Sequence, residues 1–475
     1  MSQSTNDAGF SSNPPAATKA GGHLAAGHLA AGRLDEAAYA SGFADLHPAL
    51  TRHEAFVEAD RCYFCFDAPC QKACPTSIDI PLFIRQIGTG NDLGSAHTIL
   101  ESNIMGGMCA RVCPTETLCE EACVREAAEG KPVKIGLLQR HAVDAMMAHS
   151  LTHASHPFTR AAASGKKVAV VGAGPAGLSA AHRLSMLGHS VTLFDTRDTL
   201  GGLNEYGIAA YKAPDDFAQK EVEFVLGIGG IAKSPGKKLG TDIHLDTLRK
   251  QYDAVFLGIG LAAVNTLGLR DEGQLNGVRE AIDFIADIRR TKSVAKSLAK
   301  IPVGTDVVVI GGGMTAVDAA VQAKRLGARS VTIAYRRGPE DMKASTYEQD
   351  LAKINGVNIR HWLKPITLHG TNGSVSEVSF EGTAMAGGKL TGTGQIIKLA
   401  ADMVLTAIGQ ILVSDDFGDA IAVQGGKIVV DAHRATSLKG VWAGGDCTNM
   451  GEDLTVSAVE DGKQAAIAID AALKL

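Results

Sequence analysis

The sequence predicts an α/β protein preceded by an all-helical domain, and two observations carry that reading. Eight of the nine cysteines fall between Cys62 and Cys123, among helical patterns. Further on, a strand, glycine turn, helix and second strand follow one another twice, from Lys167 to Asp195 and from Asp306 to Tyr335. A chain of 475 residues leaves room for roughly three domains of about 150 residues each.

Composition excludes several classes. Apolar residues make up 45% and charged residues 20%, an ordinary globular balance. Lys and Arg number 46 against 51 Asp and Glu, so no basic surplus is available to hold nucleic acid. No run approaches the ~18 apolar residues of a membrane helix, and the first residues lack the basic start and apolar run of a secretory signal. A cytoplasmic protein is expected, in which clustered cysteines read as metal ligands rather than disulfides.

Residues 1–49 are expected to form a flexible tail, rich at first in Ala, Gly, Ser and Asn, with an echo at Gly22–Ala26 and Gly27–Ala31. Residues 50–160 form the helical domain, with helices expected over Ile80–Ile87 and Ile135–Met147. Thr152–Gly165 reads as a linker. Residues 165–283 and 408–475 form the first nucleotide domain, and 284–407 the second, with a strand-rich stretch from about Asn358 to Leu405. A last helix is expected from about Thr455 to Ala472.

The cysteines read Cys62-x2-Cys65-x4-Cys70-x3-Cys74-Pro75, then Cys109-x3-Cys113-Pro114-x4-Cys119-x3-Cys123. Three close cysteines and a more distant one followed by Pro supply an iron–sulfur cubane in ferredoxin fashion, the Cys before Pro reaching the other cluster. Cys62, Cys65 and Cys70 then share one cluster, and Cys74 joins Cys113 and Cys119 on a second. Spacing alone does not assign every ligand. Structural zinc commonly uses two C-x2-C pairs, and only one occurs here.

Gly172-Ala173-Gly174-Pro175-Ala176-Gly177 lies between strand and helix. Its glycines permit a tight turn, close approach of a pyrophosphate, and helix–strand packing. Asp195 ends the following strand, where an acid accepts ribose hydroxyls. Gly201-Gly202-Leu203, a strand-then-glycine crossing from Ala254 to Gly260, and Val441-Trp442-Ala443-Gly444-Gly445-Asp446 mark this first site as one for FAD. The second site has Gly311-Gly312-Gly313-Met314-Thr315-Ala316, and its second strand ends in Arg336 and Arg337 with no acid. Arginines there suit a 2′-phosphate, so NADP(H) is expected over NAD(H). The fold class is therefore an all-helical iron–sulfur domain followed by two Rossmann-like domains of the two-dinucleotide-binding flavoprotein type.

Taken together, these motifs resemble the N-terminal, electron-accepting half of dihydropyrimidine dehydrogenase, which in many bacteria is a separate subunit. The resemblance covers about residues 50–475 and is carried by Cys70-Gln71-Lys72-Ala73-Cys74-Pro75-Thr76, Ile78-Asp79-Ile80, and Cys109-Ala110-Arg111-Val112-Cys113-Pro114-Thr115 through Leu118-Cys119. It implies that Cys123 is the fourth ligand of the Cys62, Cys65, Cys70 cluster. It implies that Gln139, sixteen residues past Cys123, completes the cluster of Cys74, Cys113 and Cys119. Cys109 matches a cysteine that is not a ligand.

The resemblance also implies flavin contacts from Leu203, Lys212, Thr455 and Val456, and nicotinamide-nucleotide contacts from Lys343 and from Ala407-Ile408-Gly409. Lys212 stands where the family commonly has Arg, and Asp195 where it commonly has Glu. The implied activity takes hydride from NAD(P)H onto FAD and passes electrons through two 4Fe–4S clusters to an FMN- and iron–sulfur-containing catalytic subunit. That partner reduces uracil or thymine to the 5,6-dihydro form. The alternatives are the similar NADPH-oxidising small subunit of glutamate synthase, another NAD(P)H-dependent electron supplier, or an assembly protein whose clusters are structural.

Overall fold

The computed structural model describes residues 29–474 apart from Asp271. The echoed segment at Gly22–Ala31 lies outside the described residues up to His28.

Seven helices build the cysteine domain from Arg52–Asp60 to Ile135–His153, and no strand lies among its described residues. Ile80–Gly88 begins at an Asp79 side-chain cap with Pro81 in its first turn, and buries Ile80, Phe83, Ile84 and Ile87 on one face. The expected linker is short, because the last of these helices runs to His153 and Phe158 is buried.

Two parallel five-stranded sheets follow. The first runs in space Val441–Ala443, Ala254–Leu257, Lys167–Val171, Ser190–Phe194, Ile231–Ser234. The second runs Val278–Glu280, Met403–Ala407, Asp306–Gly311, Ser330–Ala334, Asn358–Arg360. Runs such as Val168–Val171 and Val307–Ile310 are apolar on both faces because layers cover both sides of each sheet. In each sheet the strand order reverses beside the glycine-bearing strand, which opens a crevice at the strands' carboxyl ends. An antiparallel sheet of Leu363–Thr371, Ser374–Ala386 and Lys389–Ala400 covers one face of the second sheet, with Phe380 and Val378 against Val308 and Ile310.

Two boundaries differ from expectation. Val278–Glu280 belongs to the second sheet, so that domain begins before residue 284; three residues are too short a run to read as a strand. The crossing between the domains is the two-stranded ribbon Ala263–Val264 with Gln410–Ile411. The segment expected as tail also holds a helix before residue 50. Glu36–Gly42 is a helix capped by Asp35, and it buries Tyr39 and Phe43 against Leu326 and Tyr211. Two interdomain bonds reinforce this strap: Arg325 Nη1 donates to the Gly42 carbonyl at 2.7 Å and Arg140 Nη2 to Asp45 Oδ2 at 2.6 Å.

The cysteine domain and the first nucleotide domain share one continuous hydrophobic core, in which Ile99, Leu138 and Val143 join Leu178, Ala218 and Val222. The two are thereby fixed to each other by packing as well as by the short connection.

Candidate functional site

Cys62 and Cys65 lie in the loop after Arg52–Asp60, Cys70 in the short helix Pro69–Ala73, and Cys123 just before Val124–Glu129. All four cysteines line one pocket, backed by Ile80, Ile84 and Ile135. Phe64 and Ala68 adopt left-handed backbone, at φ 52° and 40°, which turns the loop back between its cysteines. The Phe64 N–H donates to Cys62 Sγ at 3.4 Å, a bond that favours a ligating thiolate. Burial pushes the Cys62 thiol up and that of Cys70 to about 12, so these sulfurs ionise only beside compensating positive charge. The iron of a cubane bound here would supply that charge.

The second group lies around the end of the helix Gly106–Val112. Cys113 has Cys109, Cys119 and Cys74 as neighbours, and its thiol is pushed up first by a hydrogen bond with Cys109 and then by burial. Burial likewise raises Cys119, with Cys74 close by. Cys109 is one helical turn before Cys113 on Gly106–Val112 and fully enclosed. Gln139 is only 7% exposed, and its Nε2 donates to the Gly106 carbonyl at 2.7 Å. It stands one turn beyond Gly136, which packs against Ala110 and Thr115 on either side of Cys113. Among the described residues, no three His, Cys, Asp or Glu side chains converge as the ligands of a single ion do. Cubane ligands, spread around four irons, stand farther apart than the ~2.3 Å bonds of one zinc allow.

In the first nucleotide cradle, Gly172 has φ 99°, and a Cβ there would overlap the Gly258 carbonyl. A Cβ at Gly177 would overlap the Gly172 carbonyl, and one at Gly202 would meet the Gly174 Cα at 2.6 Å. The backbones are therefore packed as closely as glycine permits. Gly174 caps the helix Pro175–Met186, with Pro175 at its first position and Ala176 and Gly177 following, so its N-terminus faces the crevice. Asp195 follows directly on its strand; Oδ2 accepts from Ala173 N at 2.7 Å and Oδ1 from Arg197 N at 2.8 Å. Each oxygen keeps acceptor capacity for a ribose.

Leu203 opens a short helix directly after Gly202. Gly260, at φ 60°, ends the crossing after Ala254–Leu257. Gly445 N donates to Asp461 Oδ2 at 2.9 Å, and Asp461 in turn pairs with Arg434 at 2.7 Å. Burial pushes the Asp446 carboxyl up to about 6, with Asp453 and Asp461 adding to the shift and Lys427 opposing it. The final helix, Thr455–Leu473, lies so close to Pro175–Met186 that a Cβ at Gly462 would overlap the Ala176 carbonyl. Thr455 and Val456 are thereby brought to the same cradle. These close approaches, helix N-termini and acceptor positions fit an FAD pyrophosphate and flavin.

In the second cradle, Gly311 has φ 149° and a Cβ there would overlap the Ala407 carbonyl; at Gly312 it would strike the Tyr335 ring. Gly313 faces open space at the start of Met314–Arg325, whose first turn holds Met314 and Thr315. Arg336, Arg337 and Lys343 are exposed, and among the described residues none is paired with a carboxylate. Ala407 ends the strand Met403–Ala407, next to the central one, and Gly409, at φ 93°, turns it into the interdomain ribbon. Lys212 is placed differently from a simple flavin contact. Its buried ammonium pairs with Asp318 at 2.7 Å and Glu348 at 2.6 Å, both on the second nucleotide domain.

Three groups here escaped sequence reading: Asn204 beside Leu203, the carboxylates of Asp318 and Glu348, and Glu221. Glu221 Oε1 accepts the N–H of Gly107 at 2.8 Å and of Met108 at 2.9 Å, tying the flavin-side helix Phe217–Leu226 to the helix that precedes Cys113. No motif announced it.

Comparison with known proteins agrees with this geometry. Residues 39–151 match the family profile described as dihydropyrimidine dehydrogenase domain II, 4Fe-4S cluster, and residues 166–462 match pyridine nucleotide-disulphide oxidoreductase. The chain is 33% identical over 426 residues to the NAD-dependent dihydropyrimidine dehydrogenase subunit PreT homolog of Salmonella typhi, covering 90% of this chain and 96% of the relative. Against the PreT subunit of Escherichia coli (strain K12) it is 33% identical over 425 residues, with the same coverage. Among solved structures it is similar to T. acidophilum thioredoxin reductase, with TM-score 0.52, 21% identity, and 65% of this chain covering 100% of that one. It is also similar to Mycobacterium tuberculosis FprA in complex with NADPH, with TM-score 0.54, 18% identity, and 65% of this chain covering 85% of that one. These two show the fold of the nucleotide domains. The chain is an oxidoreductase with a flavoprotein fold and a 4Fe–4S domain, and it belongs to the pyridine nucleotide-disulphide oxidoreductase family, among the PreT subunits of dihydropyrimidine dehydrogenase.

Proposed function

We propose that the chain is the electron-input subunit of a cytoplasmic dihydropyrimidine dehydrogenase. NADP(H) is held at Gly311, Gly312, Gly313, Met314 and Thr315, with Arg336, Arg337 and Lys343 on its phosphates and Ala407 and Gly409 beside the nicotinamide. FAD is held by the Gly172–Gly177 turn, Asp195, Gly202, Leu203, Gly260, Gly445, Asp446 and the Thr455–Val456 helix start. Two 4Fe–4S clusters take Cys62, Cys65, Cys70, Cys123 and Cys74, Cys113, Cys119, Gln139. Electrons leave for a partner subunit with FMN and iron–sulfur, which reduces uracil or thymine.

The observation that carries this reading is the shared core between the flavin-type domain and both cysteine groups. It holds the two parts in one fixed relation, as an internal relay requires. When bound, FAD supplies the conversion from hydride to single electrons that such a relay needs. The protein contributes rigid glycine turns that admit the phosphates, helix N-termini directed at them, and apolar burial that keeps water from the sulfurs.

The NADP(H) reading is supported by two exposed guanidiniums after the strand Ser330–Ala334 that have no carboxylate partner among the described residues, whereas the relatives above are named NAD-dependent. The test of the whole reading is anaerobic. NADPH should bleach the flavin absorbance of the purified chain and then produce the resonance signals of reduced clusters. A flavin that bleaches with no cluster signal removes the relay from the proposal.

A further inference from the structure

Asn204 follows Leu203 directly and is 1% exposed. Its Oδ1 accepts the hydroxyl of Thr455 at 2.7 Å, across 251 residues of sequence. Its Nδ2 is buried and has no hydrogen-bond partner in the protein. Neighbouring polar groups are provided for: Gln219 donates to Glu205 at 2.9 Å, and Tyr206 Oη donates to the Thr199 carbonyl at 2.9 Å. A buried amide N–H without an acceptor is rare and calls for one.

The surroundings name the acceptor's chemistry. On one side stands the Gly201–Gly202 turn, pressed against Gly174 of the phosphate loop. On the other is the start of the final helix, whose first turn has no side-chain cap. The Thr455 hydroxyl, which could have turned back on its own helix, is bound to Asn204 instead, so the helix N–H groups remain available. Orphan donors on two converging elements call for an electron-rich acceptor between them.

We propose that Asn204 is a flavin-binding residue: its Nδ2 donates to an acceptor atom of the isoalloxazine ring, and Thr455 fixes the amide in the orientation that allows it. This rests on the FAD reading of the cradle. Such a donor is worth more to the reduced ring, which carries more electron density, than to the oxidised ring. Asn204 therefore raises the flavin potential as well as holding the cofactor.

The test uses the full chain with its clusters. Asn204→Leu should weaken FAD binding to apoprotein by about five- to tenfold, in line with loss of one neutral hydrogen bond, and should shift the flavin midpoint potential to more negative values. Asn204→Asp keeps the size of the side chain and places an anion beside the ring, so its potential should fall further. Thr455→Val leaves the donor but frees the amide, and should move both quantities in the same direction by less. Cluster absorbance and melting temperature are followed in all variants.

Unchanged FAD affinity and unchanged potential in Asn204→Leu overturn the proposal. So does a lowered melting temperature with the flavin potential unmoved in both Asn204 variants, which marks the amide as a structural clamp. A wild-type chain that binds no FAD overturns the flavin reading itself, and that result is seen before any variant is made.

Discussion

The side-chain amide of Gln139 donates to the main-chain carbonyl of Gly106 at 2.7 Å, so its nitrogen is engaged and its oxygen is the end left to act as a ligand. Both residues are buried, on helices packed side by side. A neutral carbonyl in place of a thiolate makes a cluster less negative and tunes its potential. Gln139→Ala should lose the iron of one cluster and keep FAD. Iron per chain and the resonance spectrum after reduction check this; both unchanged would mean that Gln139 is no ligand.

The proposed nucleotide preference rests on Arg336 and Arg337, exposed and free of carboxylate partners among the described residues. Replacing both by Ala should weaken NADPH by about ten- to a hundredfold, or about 1.5–3 kcal/mol, with little effect on NADH. Kinetics with the two nucleotides decide it. An NADH preference in the wild type, or an unaltered ratio in the double variant, refutes the assignment.

Lys212 predicts a stability effect at the seam between the nucleotide domains. Removing its charge leaves Asp318 and Glu348 buried with nothing to balance them. Lys212→Met should cost about 3–5 kcal/mol, the usual loss when one member of a buried ion pair is removed. Adding Asp318→Asn and Glu348→Gln should recover much of it, which thermal unfolding would show. A Lys212→Met chain as stable as wild type would mean that water enters the seam.

Glu221 predicts a pH effect. Burial pushes its carboxyl up to about 8, against help for the charged form from the Met108 and Gly107 N–H groups and from Arg111, with Asp144 opposing. An acid whose pKa is higher folded than unfolded holds more protons in the native state, so it subtracts stability as pH rises from the unfolded value toward about 8. Glu221→Gln can still accept both N–H bonds. Its melting temperature should fall less than that of wild type between pH 5 and 8. Parallel curves would show that Glu221 is ionised throughout.

What sequence reading could and could not reach follows from the range of the interactions. The turn at Gly172–Gly177 and the cysteine runs were legible because each constraint acts within a few residues: a positive φ, a close carbonyl, a strand leading into a helix. Glu221 and Gly107 meet across 114 residues, and Lys212 and Glu348 across 136. Neither pair leaves a local pattern. The strap at Tyr39 and Phe43 was hidden by its setting, since one short helix after an Ala- and Gly-rich stretch has an apolar face whose partner, Leu326, is far along the chain. Asn204 was passed over beside Leu203 because its significance is an unmet donor, which only packing reveals.

The last prediction concerns what this chain does alone. Uracil reduction needs hydride delivered to one ring carbon and a proton donor held at its neighbour. The two nucleotide cradles described here account for one flavin and one nicotinamide nucleotide, and the eight expected iron ligands account for two clusters. The purified chain should therefore pass electrons from NAD(P)H to a dye and leave uracil unchanged. Adding an FMN-bearing partner should start uracil consumption. Cys65→Ala and Cys119→Ala, one from each cysteine group, should each abolish the coupled reaction while sparing dye reduction at the flavin, because the proposed relay takes electrons from the flavin and does not feed it. Uracil consumption by the single chain, or full coupled activity in either cysteine variant, would falsify this division of labour.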